Sequence, residues 1–89
     1  MISFKVFVAG KGDYNLEEIN KLKARLKEKY NQDYSMEVID LLENPEAVIR
    51  DKVFVTPTIL KTIPKPAQRI IGTLDIDDSQ FIYLEVNEN

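Results

Sequence analysis

The chain has 89 residues, a length that predicts one domain spanning residues 1–89. It contains no cysteine and no histidine, which excludes disulfides, Cys/His zinc sites and the usual Cys–His or Ser–His nucleophile pairs. Lys and Arg number 12 against 15 Asp and Glu, and this net charge of −3 argues against nucleic acid as a partner. No apolar stretch reaches the roughly 18 residues of a membrane-spanning helix, so we expect a cytoplasmic protein with no membrane contact.

The first half of the chain has the pattern of a βαβ unit. Residues 2–8 alternate in polarity, which predicts a strand. Apolar side chains then recur at three- and four-residue spacing over residues 16–30, and they predict a helix with Asn15 as N-cap and Glu18 completing a capping box. A second strand is predicted over residues 35–41. Because strand–helix–strand connections are right-handed, the two strands should be parallel neighbours.

A short helix is predicted next, opening with Pro45 at its first helical position, where a missing N–H does no harm. Ala47, Val48 and Ile49 should form its buried side, and the helix should end between residues 50 and 52.

The second half of the chain has two interpretations. In the first, residues 58–62 and 68–71 are strands joined by a proline-containing hairpin loop, and Asp75 or Asp77 caps a terminal helix. The fold is then an α/β fold of order βαβαββα.

In the second interpretation, a helix starts at Pro66 and ends at Gly72, and residues 81–86 form a terminal strand. The alternation of Ile82, Leu84 and Val86 with their neighbours suits that strand well. Local patterns do not choose between the two interpretations.

Three motifs are candidates for chemistry. Gly10 and Gly12 flank Lys11 between a strand and a helix, but the third glycine of a dinucleotide-binding turn is absent, so a simple turn is favoured. Asp75 and Asp77 have the first spacing of a calcium loop without the residues that should follow, which favours helix capping. Asp40 interrupts an apolar run, yet nothing supplies it with a partner base. We expect no catalytic residue, cofactor or metal.

Four motifs, in this order and spacing, resemble the KaiB family across residues 4–72. They are residues 7–10 (FVAG), residues 38–45 (VIDLLENP), residues 55–59 (VTPTI), and residues 64–66 (PKP) leading to residues 69–72 (RIIG). The resemblance implies a non-enzymatic protein-interaction module that docks on a KaiC-like ATPase of a circadian clock or a related signalling system. KaiA-like proteins and histidine kinases are further implied partners.

The KaiB family is also known for two folds, and these correspond to the two interpretations above. One is a tetrameric ground state with a terminal strand, and the other is a monomeric, thioredoxin-like, partner-binding state with a cis-proline, which would be Pro57 here. Clock-type members commonly carry glycine and aspartate where this chain has Tyr83 and Glu85. We take these two residues as candidate determinants of the fold state, and losing the glycine favours the thioredoxin-like state.

The candidate contact surface combines the exposed face of the first helix with the second strand, which should be an edge strand. Lys52 and Arg69 match basic positions of the family, whereas clock-type members tend to be basic where this chain has Glu17 and Glu37. The candidate partner-binding residues are Lys5, Glu17, Lys21, Glu37, Lys52 and Arg69. The alternative function is a stand-alone sensor domain similar to the N-terminal domain of the clock kinase SasA, with a partner outside the clock.

Overall fold

The computed structural model describes residues 1–87 and contains four strands and three helices in the order βαβαββα. They are β1 (Ile2–Val8), α1 (Asp13–Tyr30), β2 (Tyr34–Asp40), α2 (Glu46–Asp51), β3 (Thr58–Ile63), β4 (Gln68–Ile71) and α3 (Asp78–Leu84). The first interpretation of the sequence is therefore confirmed.

The strands form one sheet in the order β2-β1-β3-β4. β1 and β2 are parallel, with Val6 opposite Val38, which confirms the predicted βαβ unit. β3 pairs with β1 in the antiparallel sense, and β4 pairs with β3 in the same sense. Within the sheet, the inner strands β1 and β3 carry six of the seven buried apolar side chains, whereas β2 and β4 lie at the two edges.

Helices cover the two faces of the sheet unequally. α1 and α3 pack on one face, where Phe4, Val6 and Ile59 meet Leu22 of α1 and Phe81 of α3. The other face is covered by the short helix α2, whose Ala47 packs in a smaller cluster formed with Phe7, Ile39, Val53 and Leu60. The sheet face beside α2 therefore has much less helical cover than the face beneath α1 and α3.

The terminal element is a helix because its first turn is capped and two of its apolar residues face the core. The Asp77 carboxylate accepts a hydrogen bond from the Gln80 backbone N–H at 2.9 Å, and the Gln80 side chain accepts one from the Asp77 N–H at 2.9 Å. Phe81 and Leu84, three residues apart, are both buried. The predicted terminal strand over residues 81–86 and the helix over residues 66–72 are therefore wrong for this structure.

Two helix starts differ from the prediction. α1 begins at Asp13, with Gly12 as N-cap, because the Asn15 side chain lies inside the helix and donates to the carbonyl of Gly10 at 2.8 Å. Pro45 is the N-cap of α2 and not its first helical residue. The predicted buried side of α2 is also partly wrong, since Ile49 is 80% exposed.

Candidate partner-binding surface

β2 presents an open edge. In the four-stranded sheet it pairs with β1 alone among the residues that the structure describes, which confirms the predicted edge position. Ser35 and Glu37 are exposed on this strand, while Met36 and Val38 are half-buried towards α1. An edge of this kind offers backbone N–H and C=O groups to an incoming strand.

The C-terminal end of α2 is tied to the sheet by two basic residues. Lys5 Nζ lies 3.5 Å from Oδ1 of Asp51, whose side chain is only 12% exposed. The Arg69 guanidinium donates to the carbonyl of Lys52 at 2.8 Å and to the carbonyl of Asp51 at 3.2 Å. Cations at this position also stabilise the negative end of the helix dipole.

The structure brings four of the six candidate residues to one side of the sheet. Lys5 lies opposite Glu37 in the β1–β2 register and beside Leu60 of β3, which in turn lies opposite Arg69 of β4. Lys52 follows α2 on the same side and is exposed. We call these four residues, Lys5, Glu37, Lys52 and Arg69, the α2-side cluster.

The other two candidates lie on the opposite side of the sheet. Glu17 and Lys21 are exposed on α1, where Lys21 Nζ lies 3.3 Å from the Glu17 carboxylate and 3.6 Å from that of Glu18. The hydrogen bond to Glu17 raises the pKa of Lys21. A partner that contacts both the α2-side cluster and these two residues of α1 would have to extend around the β2 edge.

Asp40 stabilises the turn between β1 and α1. Its buried carboxylate accepts from the backbone N–H of Gly10 at 2.9 Å and of Leu42 at 3.0 Å, and these two bonds lower its pKa. Gly10 has a φ of +90°, a conformation that favours glycine. The motif from Gly10 to Gly12 thus forms a βα turn supported by Asp40.

The predicted cis-proline and the two candidate determinants of the fold state lie in different parts of the structure. The Thr56–Pro57 peptide bond is cis and directly precedes β3. Tyr83 lies in α3 with its side chain exposed, and Glu85 is the C-cap of that helix. The Tyr30 hydroxyl donates to the Glu85 carboxylate at 2.7 Å, and burial together with this bond raises the pKa of Tyr30.

Sequence reasoning missed two features. Phe54 is 78% exposed just beyond α2, although the sequence pattern favours burial of an aromatic residue at that position. Lys61 is completely buried, and the signal was its place between Ile59 and Ile63 on one face of β3.

Within residues 1–87, no group of three or more acidic side chains is arranged to hold a metal ion. None of the helices in that range combines the length and the hydropathy that crossing a membrane requires.

Comparison with known proteins identifies the family to which the chain is related. A family model described as KaiB domain matches residues 5–86. The circadian clock oscillator protein KaiB of Microcystis aeruginosa is 35% identical over 82 residues, which are 92% of this chain and 79% of that protein.

Two solved structures show the fold. The N-terminal domain of Synechococcus elongatus SasA has a TM-score of 0.62 at 20% identity, covering 93% of this chain and 78% of that domain. Thioredoxin O2 from Arabidopsis thaliana has a TM-score of 0.63 at 22% identity, covering 93% of this chain and 70% of that protein. The predicted thioredoxin-like fold is thereby confirmed. With a family model matching nearly the whole described chain and a relative above 30% identity, the chain belongs to the KaiB family.

Proposed function

We propose that this chain is a non-enzymatic adaptor that docks on a KaiC-like ATPase in a circadian clock or a related signalling system. The observation that carries the proposal is family membership over residues 5–86, since curated relatives are named as clock oscillator proteins. The thioredoxin-like fold, which in this family is the partner-binding state, supports it. The chain has neither the cysteine nor the histidine on which small enzymes most often rely.

The α2-side cluster and the β2 edge together form the proposed docking surface. An unpaired strand supplies main-chain hydrogen bonds, and charged side chains beside it select the partner and its orientation. Glu37 belongs to both parts, because it lies on the edge strand and faces the same side as Lys5. Lys52 is exposed and has no ion pair within 4.0 Å among residues 1–87, so its charge is available to a partner.

The test is a binding titration of the purified chain against an immobilised KaiC-type ATPase ring. Lys52→Glu should weaken binding by about tenfold, because reversing a contact charge replaces attraction by repulsion. Lys65→Glu is the matched control, since Lys65 is an exposed lysine in the loop between β3 and β4, outside the candidate surface, and it should bind like the parent chain.

A second variant tests the sign of the charge at the edge strand. Clock-type relatives tend to be basic where this chain has Glu37, so Glu37→Lys should strengthen binding to a clock-type ring. Arg69 is a poor choice for this purpose, because its bonds to the end of α2 mix binding with stability. Equal affinity for the Lys52 and Glu37 variants and the parent chain would exclude this surface.

The alternative is a stand-alone sensor domain with a partner outside the clock. The similarity in fold to the SasA N-terminal domain, over 93% of this chain, supports this alternative. Parallel titrations against an ATPase ring and against the catalytic core of a histidine kinase separate the two functions. Binding to the kinase core alone favours the sensor.

We also propose that the protein acts in the cytoplasm as a single-domain monomer. Monomers are the form that goes with the thioredoxin-like state in this family. Sedimentation at micromolar concentration should give the mass of one 10.3 kDa chain, and a tetramer would contradict the proposal.

A further inference from the structure

Lys61 is a buried lysine with an uncommon set of partners. It lies on β3 opposite Phe4, on the face covered by α1 and α3, and its exposure is 0%. Its Nζ donates to the carbonyl of Pro64 at 2.6 Å and to the carbonyl of Val86 at 2.9 Å. No carboxylate of residues 1–87 lies within 4.0 Å of this ammonium group.

A charged amine in this position has an energetic cost. Burial lowers the pKa of Lys61, because moving the ammonium group out of water disfavours its charged form. An apolar residue at position 61 would fit the face of β3 that carries Ile59 and Ile63, and its burial would not require moving a charge out of water. What an apolar residue cannot do is donate to the two carbonyls.

One of these carbonyls lies beyond the last helix. Val86 follows the C-cap of α3 and is 25 residues from Lys61 along the chain, so the bond joins the centre of the sheet to residues 85–87. We call residues 85–87 the strap. Its first residue, Glu85, accepts from the Tyr30 hydroxyl at 2.7 Å and lies 3.9 Å from Lys29 Nζ.

The strap forms one wall of a depression at this end of the sheet. The depression measures about 500 Å³, and it is lined by Glu85 and Asn87 of the strap, by Tyr30 and by Pro64. Pro64, which lines the depression, supplies one of the two acceptors of Lys61, and Val86, which supplies the other, lies in the strap between Glu85 and Asn87. Releasing the strap would widen this depression and expose Lys61.

We propose that Lys61 is the latch of the strap, so that its two carbonyl bonds decide whether residues 85–87 lie closed on the sheet or open as a unit. The strap then opens and closes while the rest of the fold stays intact. The tyrosine and lysine of α1 that contact Glu85 assist the latch from the other side.

The test is amide hydrogen exchange followed by NMR on the chain with Lys61→Met. The Glu85 and Val86 amides are hydrogen-bonded to α3 carbonyls, so their exchange reports on strap opening. They should exchange at least about tenfold faster in the variant, with exchange in β1 and β3 unchanged. Global stability should change much less than the strap exchange, because the apolar side chain removes the cost of a buried charge and the two released carbonyls can reach water once the strap is open.

Lys65→Met is the matched control, since Lys65 is an exposed lysine of the same hairpin, and it should leave the strap amides unchanged. Unchanged exchange at Glu85 and Val86 in Lys61→Met would overturn the latch. A uniform acceleration at all amides would do the same, because it would show a general role in stability.

A measurement on the parent chain covers the case in which Lys61→Met does not fold. The ammonium protons of Lys61 should exchange slowly enough with water to be seen in a ¹⁵N-detected lysine spectrum, unlike those of Lys65. Equally fast exchange at both lysines would mean that the strap does not close on Lys61, and the proposal would be wrong.

Discussion

Arg69 and Lys52 are joined by a hydrogen bond of 2.8 Å from the Arg69 guanidinium to the Lys52 carbonyl. This bond links the edge strand β4 to the end of α2. Within residues 1–87, α2 is the only helix on that face of the sheet. A residue that resembles a partner-binding position of the family therefore also stabilises the fold. Binding experiments on this surface must separate the two roles.

Arg69→Met should lower the free energy of unfolding by about 1–3 kcal/mol, because two helix-end carbonyls lose a charged donor. The measurement is urea denaturation followed by circular dichroism. Lys23→Met, a change at an exposed lysine of α1, is the control and should stay within about 0.5 kcal/mol of the parent. Equal stability of the two variants would show that the Arg69 bonds contribute nothing.

Phe81 in α3 and Phe54 just beyond α2 should respond very differently to truncation. Phe81→Ala should cost about 3–5 kcal/mol, because Phe81 is 1% exposed in the main core. Phe54→Ala should change stability by less than about 0.5 kcal/mol, because that ring faces solvent. Thermal unfolding of both variants checks the pair, and a similar loss in each would contradict the placement of Phe54.

Acid stability should depend on Asp40. Its pKa is lowered in the folded state by the N–H groups of Gly10 and Leu42, so its contribution is present above the unfolded value of about 4 and is lost as the pH falls through the folded value. Asp40→Asn should be less stable than the parent chain at pH 7 and should lose less stability between pH 7 and pH 3. Parallel stability curves for the two chains would contradict this linkage.

Alkaline stability should depend on Tyr30. Its pKa is raised by burial and by the bond to Glu85, so its contribution is complete below the unfolded value of about 10 and is lost as the pH rises through the folded value. Tyr30→Phe should lower the free energy of unfolding by about 1 kcal/mol at pH 7. It should also flatten the fall in stability above pH 10. Denaturation at a series of pH values checks both effects, and an unchanged alkaline slope would contradict them.

Much of the fold was predictable because short-range patterns carried it. The alternation of residues 2–8 and the apolar spacing from Ile19 to Leu26 define β1 and α1, and the handedness of their connection places β2 at the edge. The start of α1 was misplaced because Asn15 looks like a cap, whereas its side chain bonds backward to Gly10 from within the first helical turn.

The candidate surface was predictable only in part. The sequence by itself identified Lys5, Glu37, Lys52 and Arg69 through family resemblance and strand position. It did not show that these four share one side of the sheet, or that Arg69 donates to the end of α2, because those contacts join residues at least 17 positions apart.

By itself the sequence determined the βαβ unit, the family, and the absence of cysteine and histidine chemistry. Tertiary structure decided between helix and strand for residues 78–84, because local patterns allow both until β4 pairs with β3 and Phe81 and Leu84 are buried in the core. It also decided that Lys61 is buried, since one of the two carbonyls that accept from it belongs to Val86, 25 residues further along the chain. Local patterns encode local geometry, whereas these two outcomes depend on partners that only the folded chain brings together.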